Sequence, residues 1–150
     1  MQVFFLIKIY EMENSKNRSG CLISCSLDAI GDKWSLLIVR DLMFAKQCTY
    51  GDFLKSEEKI ATNILASRLK TLEEHCIIQK LEHPESKAKV LYQLTQKGID
   101  LLPIIVELNL WAEKYYTGCP EKKAMIRELK KDKEGFIKRT QKALKAPQKN

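Results

Sequence analysis

The feature that most constrains this chain is a change of hydrophobic period between residues 61 and 94. In ATNILASRLKTLEEHCIIQKL, residues 61–81, apolar side chains at Ile64, Leu65, Leu69 and Leu72 have the spacing of one helical face. The spacing predicts a helix over 62–75, with Thr62 a candidate N-cap. The pattern then turns β-rich, in IIQKLE (77–82) and KVLYQL (89–94). Between these runs lies the polar loop HPESKA, so the pair reads as a β-hairpin with a six-residue loop.

The flanks supply helices. CLISCSLDAIGDKWSLLIVRDLMF places Ile23, Leu27, Ile30, Trp34, Leu37, Ile38 and Leu42 along one helical stripe. Gly31 within it either allows close packing or separates two helices. TYGDFLKSEE predicts a short helix capped by Thr49, with Tyr50, Phe53 and Leu54 turned inward. After the hairpin, TQKGIDLLPIIVELNLWAEKYY predicts a long helix capped by Thr95. Ile99, Leu102, Ile105, Val106 and Leu110 face inward, and Pro103 kinks the helix or sits in its early turns. TGCP breaks the pattern, and residues 121–145 read as a weak amphipathic helix with a frayed end.

The order is helix, helix, helix, two-stranded wing, long helix. The predicted fold is mainly α with a small β-hairpin: a winged helix-turn-helix. It has a three-helix core, the wing and a long C-terminal helix suited to dimerisation. Three segments follow: an N-terminal arm at 1–20, the winged domain at 21–117 and a basic helical tail at 118–150.

Charge is unevenly placed. Residues 1–117 hold 15 Lys+Arg against 15 Asp+Glu, while residues 118–150 hold 11 against 4 and supply the whole net charge of +7. A basic patch on the winged domain is therefore local, whatever the overall balance suggests.

Five cysteines without a C-x-x-C, and no secretory signal, predict reduced thiols in a cytoplasmic setting. With only His75 and His83 as nitrogen donors, no zinc spacing appears, and no cofactor is expected. No apolar run approaches the roughly 18–20 residues of a membrane helix. MQVFFLIKIY has two readings: a strand or packing arm, or an over-extended start with translation beginning at Met12.

IGDKW-LLI-R-L, N-L--RLK-LE and Y-LT--G--L-P occur together in this chain, over roughly residues 21–115. In combination they resemble the HxlR-type family of bacterial winged-helix transcription regulators. The resemblance implies a homodimer joined through its first and last helices. Its two recognition helices would enter successive major grooves of a palindromic duplex operator, with the wings along the backbone. Three positions depart from the family pattern. Leu22 stands where proline usually follows the opening cysteine, Ala61-Thr62 where Ser-Pro often opens the recognition helix, and Cys76 where glycine usually precedes the first wing strand.

The candidate DNA contacts follow. Thr62, Asn63, Ser67, Arg68 and Lys70 share the outer front of the 62–75 helix. Asn pairs bidentately with adenine, and Arg with guanine or phosphate. Lys87 and Lys89, beside His83 on the wing loop, suit phosphate or minor-groove contact. Lys46, Lys55 and Lys59 flank the helix-turn-helix and suit phosphates. Cys21 precedes the first helix and occupies the position of a family cysteine that senses electrophiles or oxidants in some members. A thiolate there gains from the helix dipole. Trp34 and Trp111 are candidates to line an effector pocket, or else belong to the core or the dimer interface. No G-x-S-x-G, H-E-x-x-H or phosphate-cradling loop is present, so an enzyme is not expected. Two rivals share these features: a protein-docking winged helix, and a nonspecific DNA binder driven by the tail.

Overall fold

The computed structural model of the protein describes residues 20–146. The arm read over the first residues, and the choice between an arm and a start at Met12, lie outside the described residues. Helix α1 (Leu22–Ile30) is followed by α2 (Ser35–Ala45), strand β1 (Gln47–Thr49) and α3 (Tyr50–Leu54). Helix α4 (Thr62–Glu74) then leads into β2 (Ile78–Glu82) and β3 (Val90–Leu94). The chain closes with α5 (Gln96–Ile99), α6 (Leu102–Glu113), a 3-10 turn (Pro120–Lys122), α7 (Lys123–Lys131) and α8 (Lys133–Lys145). This is the winged helix-turn-helix expected, mainly helical with a small sheet.

The sheet has a strand that the hairpin reading did not include. β1 lies antiparallel to β3, pairing Cys48 with Tyr92, so the order is β1-β3-β2. Only three residues long, β1 is too short to display a period. The wing loop spans residues 83–89 rather than 83–88, and Lys89 belongs to the loop.

Val39 and Leu42 of α2 meet Leu65, Leu69 and Leu72 of α4 in one core with Phe53, Ile78 and Leu94. The i, i+4, i+7 spacing of the three leucines fixes which way α4 faces. Two residues expected inward are not buried: Ile64 is 37% exposed and Leu54 36%. Each adjoins a better-placed apolar residue, Leu65 and Phe53, and only one of two neighbours can point into the core. On α1, Ile23 and Leu27 are also exposed, whereas Ile30 is buried.

The helix ends show how local chemistry stops each element. Gly31 separates α1 from α2. Thr49 and Asp52 cap α3 reciprocally: Thr49 Oγ1 accepts from the Asp52 amide (3.3 Å), and the Thr49 amide donates to Asp52 Oδ2 (3.0 Å). Thr95 caps α5 as expected, accepting from the Gly98 amide. Thr62, by contrast, is the first helical residue of α4; Ala61 is the N-cap and has no capping side chain.

The single helix expected over 95–116 is two, broken at Asp100–Leu101 with Pro103 in the first turn of α6. Pro103 has no amide hydrogen, and in a continuous helix its ring would meet the carbonyl of Ile99. Gly98 lies against the start of the wing, where a Cβ would come within 2.3 Å of the Ile77 carbonyl oxygen. Any side chain there would push the long C-terminal arm off the sheet.

The basic C-terminal segment is packed, not trailing. Leu129 of α7 buries against Leu102 and Val106 of α6, and Leu144 of α8 joins the main core. Lys130 pairs with Glu113 at 2.8 Å and Lys133 with Glu107 at 2.5 Å, tying both helices to α6. Asp132 caps α8 by accepting from the Gly135 amide.

Helix α4 ends in a Schellman motif. The Ile77 amide donates to the Leu72 carbonyl and the Cys76 amide to Glu73, each at 2.9 Å. The motif requires a left-handed residue, and Cys76 supplies it with φ 55°. A side chain there costs free energy that glycine avoids. Cys76→Gly is expected to stabilise the protein by about 1 kcal/mol, read as a higher urea midpoint. A lower midpoint would show that packing of the thiol outweighs the backbone strain.

Candidate nucleic-acid interface

Three contacts outside α4 hold it at a set height and angle. Tyr50 of α3 donates its hydroxyl to the Thr62 carbonyl at 2.6 Å, pinning the first turn. Arg40 of α2 reaches into the turn between α3 and α4. Its Nη1 and Nη2 donate to the two Glu58 oxygens at 2.6 and 3.1 Å, while Nε and Nη2 hold Asp41. At the far end, Lys80 of β2 pairs with Glu73 at 2.7 Å and ties the wing to the end of α4.

The Arg40 fork is bidentate and half-buried, the geometry in which an ion pair orients most strongly. It leaves its mark on both partners. The guanidinium beside Glu58, helped by Ser56, holds the Glu58 carboxyl down at about 2. Glu58 in turn raises the Arg40 guanidinium above its usual range, against burial.

A second tie runs from the α1–α2 corner. Asp32 accepts from the Trp34 amide (2.8 Å), the Ser35 amide (3.0 Å) and the Ser35 hydroxyl, closing the start of α2. The same carboxylate lies 3.4 Å from Arg68 Nη1. Burial pushes the Asp32 carboxyl up, but the bonds from Ser35, Trp34 and Arg68 outweigh it and keep the group below its ordinary value.

Thr62, Asn63, Ser67 and Lys70 are all exposed on the outer front of α4, with Lys70 loosely paired to Glu74 at 3.8 Å. Arg68 differs: it is half-buried, leans toward Asp32 and donates to Ser67 Oγ at 3.1 Å. Exposed Ile64 lies beside this front and was missed as a surface residue. The acids of α4, Glu73 and Glu74, are confined to its last turn.

Lys59, Lys87 and Lys89 are exposed, and among the described residues their ammonium groups have no acidic partner. Lys59 takes a left-handed backbone (φ 51°) in the turn before α4. Lys46 is half-buried at the end of α2, and Lys55 is paired with Asp52 at 3.0 Å. In the wing loop the His83 Nδ1 accepts from the Glu85 amide, so this ring orders the loop.

The thiols divide by environment. Cys21 is exposed at the N-cap of α1, and the Cys25 amide donates to its carbonyl one turn on. Cys48 is buried in β1, and burial first, then Asp52 and Asp41, pushes its thiol up to about 11, away from reactivity. All five cysteines are thiols rather than halves of disulfides. Trp34 borders a crevice of about 10 Å³, and Trp111 meets Tyr115 at a tilt and Tyr116 edge to face at the surface. Among the described residues no cluster could hold a metal ion, and no helix is long and apolar enough to cross a membrane.

A helix with a polar, acid-poor front, raised on a leucine stripe and followed by a basic-tipped hairpin, defines a winged helix-turn-helix regulator. The HxlR-like helix-turn-helix family matches residues 29–119, and the chain belongs to it. It is 32% identical over 102 residues to the HTH-type transcriptional regulator YdeP of Bacillus subtilis, covering 68% of this chain and 79% of YdeP. The crystal structure of PA1607 superposes with a TM-score of 0.61 at 40% identity, over 71% of this chain and 72% of that one. The redox regulator HypR in its oxidised form superposes with a TM-score of 0.58 at 26% identity, over 65% of this chain and the whole of HypR. The protein is a helix-turn-helix transcriptional regulator and not an enzyme.

The carboxylates that brace the interface set an acid limit on it. Glu58 is lowered from 4.5 to about 2. Asp52 is lowered from 3.8 to about 2, by Thr49 first and then Lys55. The unfolded chain therefore takes up protons first, so this stabilisation is complete above the ordinary carboxylate range and disappears as pH falls toward about 2. Glu58→Gln is expected to flatten the loss of thermal stability across that window. An unchanged slope would mean that the Arg40 clamp is not retained in solution.

Proposed function

We propose that the protein is a cytoplasmic, homodimeric, sequence-specific regulator of duplex DNA, acting as a repressor by excluding polymerase from its operator. The observation that carries this reading is the front of α4, where Thr62, Asn63, Ser67 and Lys70 are exposed and no acid intervenes before Glu73. Helix-turn-helix docking brings the N-terminal part of such a helix to base edges in the major groove. Asn63 and Arg68 are the base readers in this proposal, and Thr62, Ser67 and Lys70 support them. Because Ala61 provides no capping side chain, the first-turn amides of α4 can donate to a phosphate. Lys59, Lys87 and Lys89 add backbone contacts, which strengthen binding without selecting sequence.

Exposed apolar side chains support the dimer. Leu22, Ile23 and Leu27 of α1, and Ile104, Leu108 and Trp111 of α6, lie open on a single chain. A patch of this kind on the first and last helices of the family domain is suited to a second copy.

The decisive experiment selects bound fragments from the source genome, then titrates the full chain against a selected and a scrambled duplex. Preference for the selected fragment, with one dimer per site, is expected. Binding to neither would favour protein docking; equal binding to both, lost on reversing the exposed tail charges Lys123, Arg127 and Lys138, would favour nonspecific attachment. Deleting the tail is a poor substitute, because it would uncover Leu102 and Val106.

Arg68→Ala is expected to weaken specific binding by roughly 1–3 kcal/mol and to relax selectivity. Arg68→Lys keeps a cation beside Asp32 and so separates groove contact from that pairing. Unchanged affinity and selectivity in Arg68→Ala would remove Arg68 from the interface.

Cys21 is the proposed thiol input, supported by its exposure at the start of α1 and by the likeness to the redox regulator HypR. Treatment with diamide, a thiol oxidant, is expected to release operator DNA from the wild type but not from Cys21→Ser. Equal release from both would exclude Cys21 as the sensor.

A further inference from the structure

The C-terminal helices do more than cover α6: with it and α2 they line a partly open cavity of about 240 Å³. It lies between the family domain and a segment largely beyond it, since the family match ends at residue 119 and α7 begins at Lys123. We infer that this cavity is a binding site for a small aromatic acid, one ring bearing a short substituent and a carboxylate.

Size and lining carry the first half of the inference. A cavity of about 150 Å³ with an aliphatic and aromatic wall takes up benzene, so the larger space here suits one substituted ring. Two methionines, Met43 and Met125, and two phenylalanines, Phe44 and Phe136, form much of the wall. Thioethers and ring edges adapt well to an aromatic guest. Left empty, such a space forfeits dispersion contacts on every side.

The polar groups carry the second half. Arg40 contributes to the wall, but its guanidinium is already engaged by Asp41 and Glu58. Asn109 spends one amide hydrogen on the Ile105 carbonyl of its own helix. That leaves Lys122 and Thr140, which also line the cavity and whose ammonium and hydroxyl groups have no side-chain partner among the described residues. One uncommitted cation and one hydroxyl beside a mostly apolar wall complement a carboxylate on an apolar body. An occupant would also press on Arg40, the residue that holds the turn before α4.

The test uses the full chain labelled with 13C-methyl methionine, titrated with 4-ethylbenzoate and with the uncharged 4-ethylbenzyl alcohol. It reads the cavity directly and does not depend on DNA binding. Saturable shifts of the Met43 and Met125 methyls are expected with both probes. Thr140→Phe should abolish them by filling the space, with Ile105→Phe as a second blocking variant should the first not fold. Lys122→Gln should weaken the acid by about fivefold and leave the alcohol unchanged. No saturable shift with either probe, or shifts that persist in a folded blocking variant, would overturn the site. Equal weakening of both probes by Lys122→Gln would overturn the acid.

Discussion

Leu65, Leu69 and Leu72 leave α4 one orientation. All three bury against α2 and the sheet, and a helix anchored at i, i+4 and i+7 cannot roll without exposing one of them. Everything presented on the outer surface follows from that. Asn63, Ser67 and Lys70 point outward because the leucines point inward, and Ile64 is exposed because Leu65 has taken the core position. Hydrophobic burial supplies the stability, and the polar front supplies no competing reason to turn. The division of faces is thus energetic before it is functional.

Rotation about the helix axis is only one of the freedoms that must be removed. Tilt and height are set by polar contacts at three points: Tyr50 on the Thr62 carbonyl, Arg40 on Glu58, and Lys80 on Glu73. These pairs are individually modest, since much of each lies near solvent. Their value is geometric. A planar guanidinium facing a carboxylate admits a narrow range of angles, so the turn between α3 and α4 is held in register with α2. Asp32 extends the same logic to the α1–α2 corner, where one carboxylate both starts α2 and meets Arg68. The N-terminal helix, with Cys21 at its N-cap, is therefore one short element away from α4.

Periodicity made the main elements legible. The helix at 62–75 and the strands at 77–82 and 89–94 are legible from spacing because each is long enough to repeat its pattern, and the structure places them within a residue of those bounds. β1 could not be read so, and neither could the break at Asp100–Leu101, where Pro103 offered a kink or an early-turn position with equal sense. Composition predicted Thr62 as a cap, yet the helix starts one residue earlier with Ala61 and no side-chain cap. Asp32 and Arg40 stand in the IGDKW-LLI-R-L run, but the bracing roles of these residues and of Glu58 are not legible there, because Asp32 meets Arg68 and Arg40 meets Glu58 across separate elements. Candidate DNA contacts were visible as an acid-poor helix front. That Arg68 leans on Asp32 was not, because pairing across elements exists only once the core has formed. Nor could charge alone reveal that the tail is packed: Leu129, Phe136 and Leu144 are sparse among lysines, and three apolar residues matter only when a groove awaits them.

That packing changes what the basic segment can contribute. A disordered tail would trail its charge at the end of a floating chain and act as a loose tether. Here Leu129 and Leu144 are buried, and Lys130 and Lys133 are paired to α6, so the remaining cations ride on a fixed body. Their field adds to that of Lys59, Lys87 and Lys89 at long range, and salt screens it over about 8 Å at physiological ionic strength. Such a field speeds encounter and strengthens attachment to any duplex, but it does not distinguish sequences. On the proposed reading, selection rests with Asn63 and Arg68 on α4, whose hydrogen bonds to base edges are short-ranged and directional. If the proposed reading holds, affinity and specificity are housed in different parts of the chain, and salt concentration should move the first far more than the second.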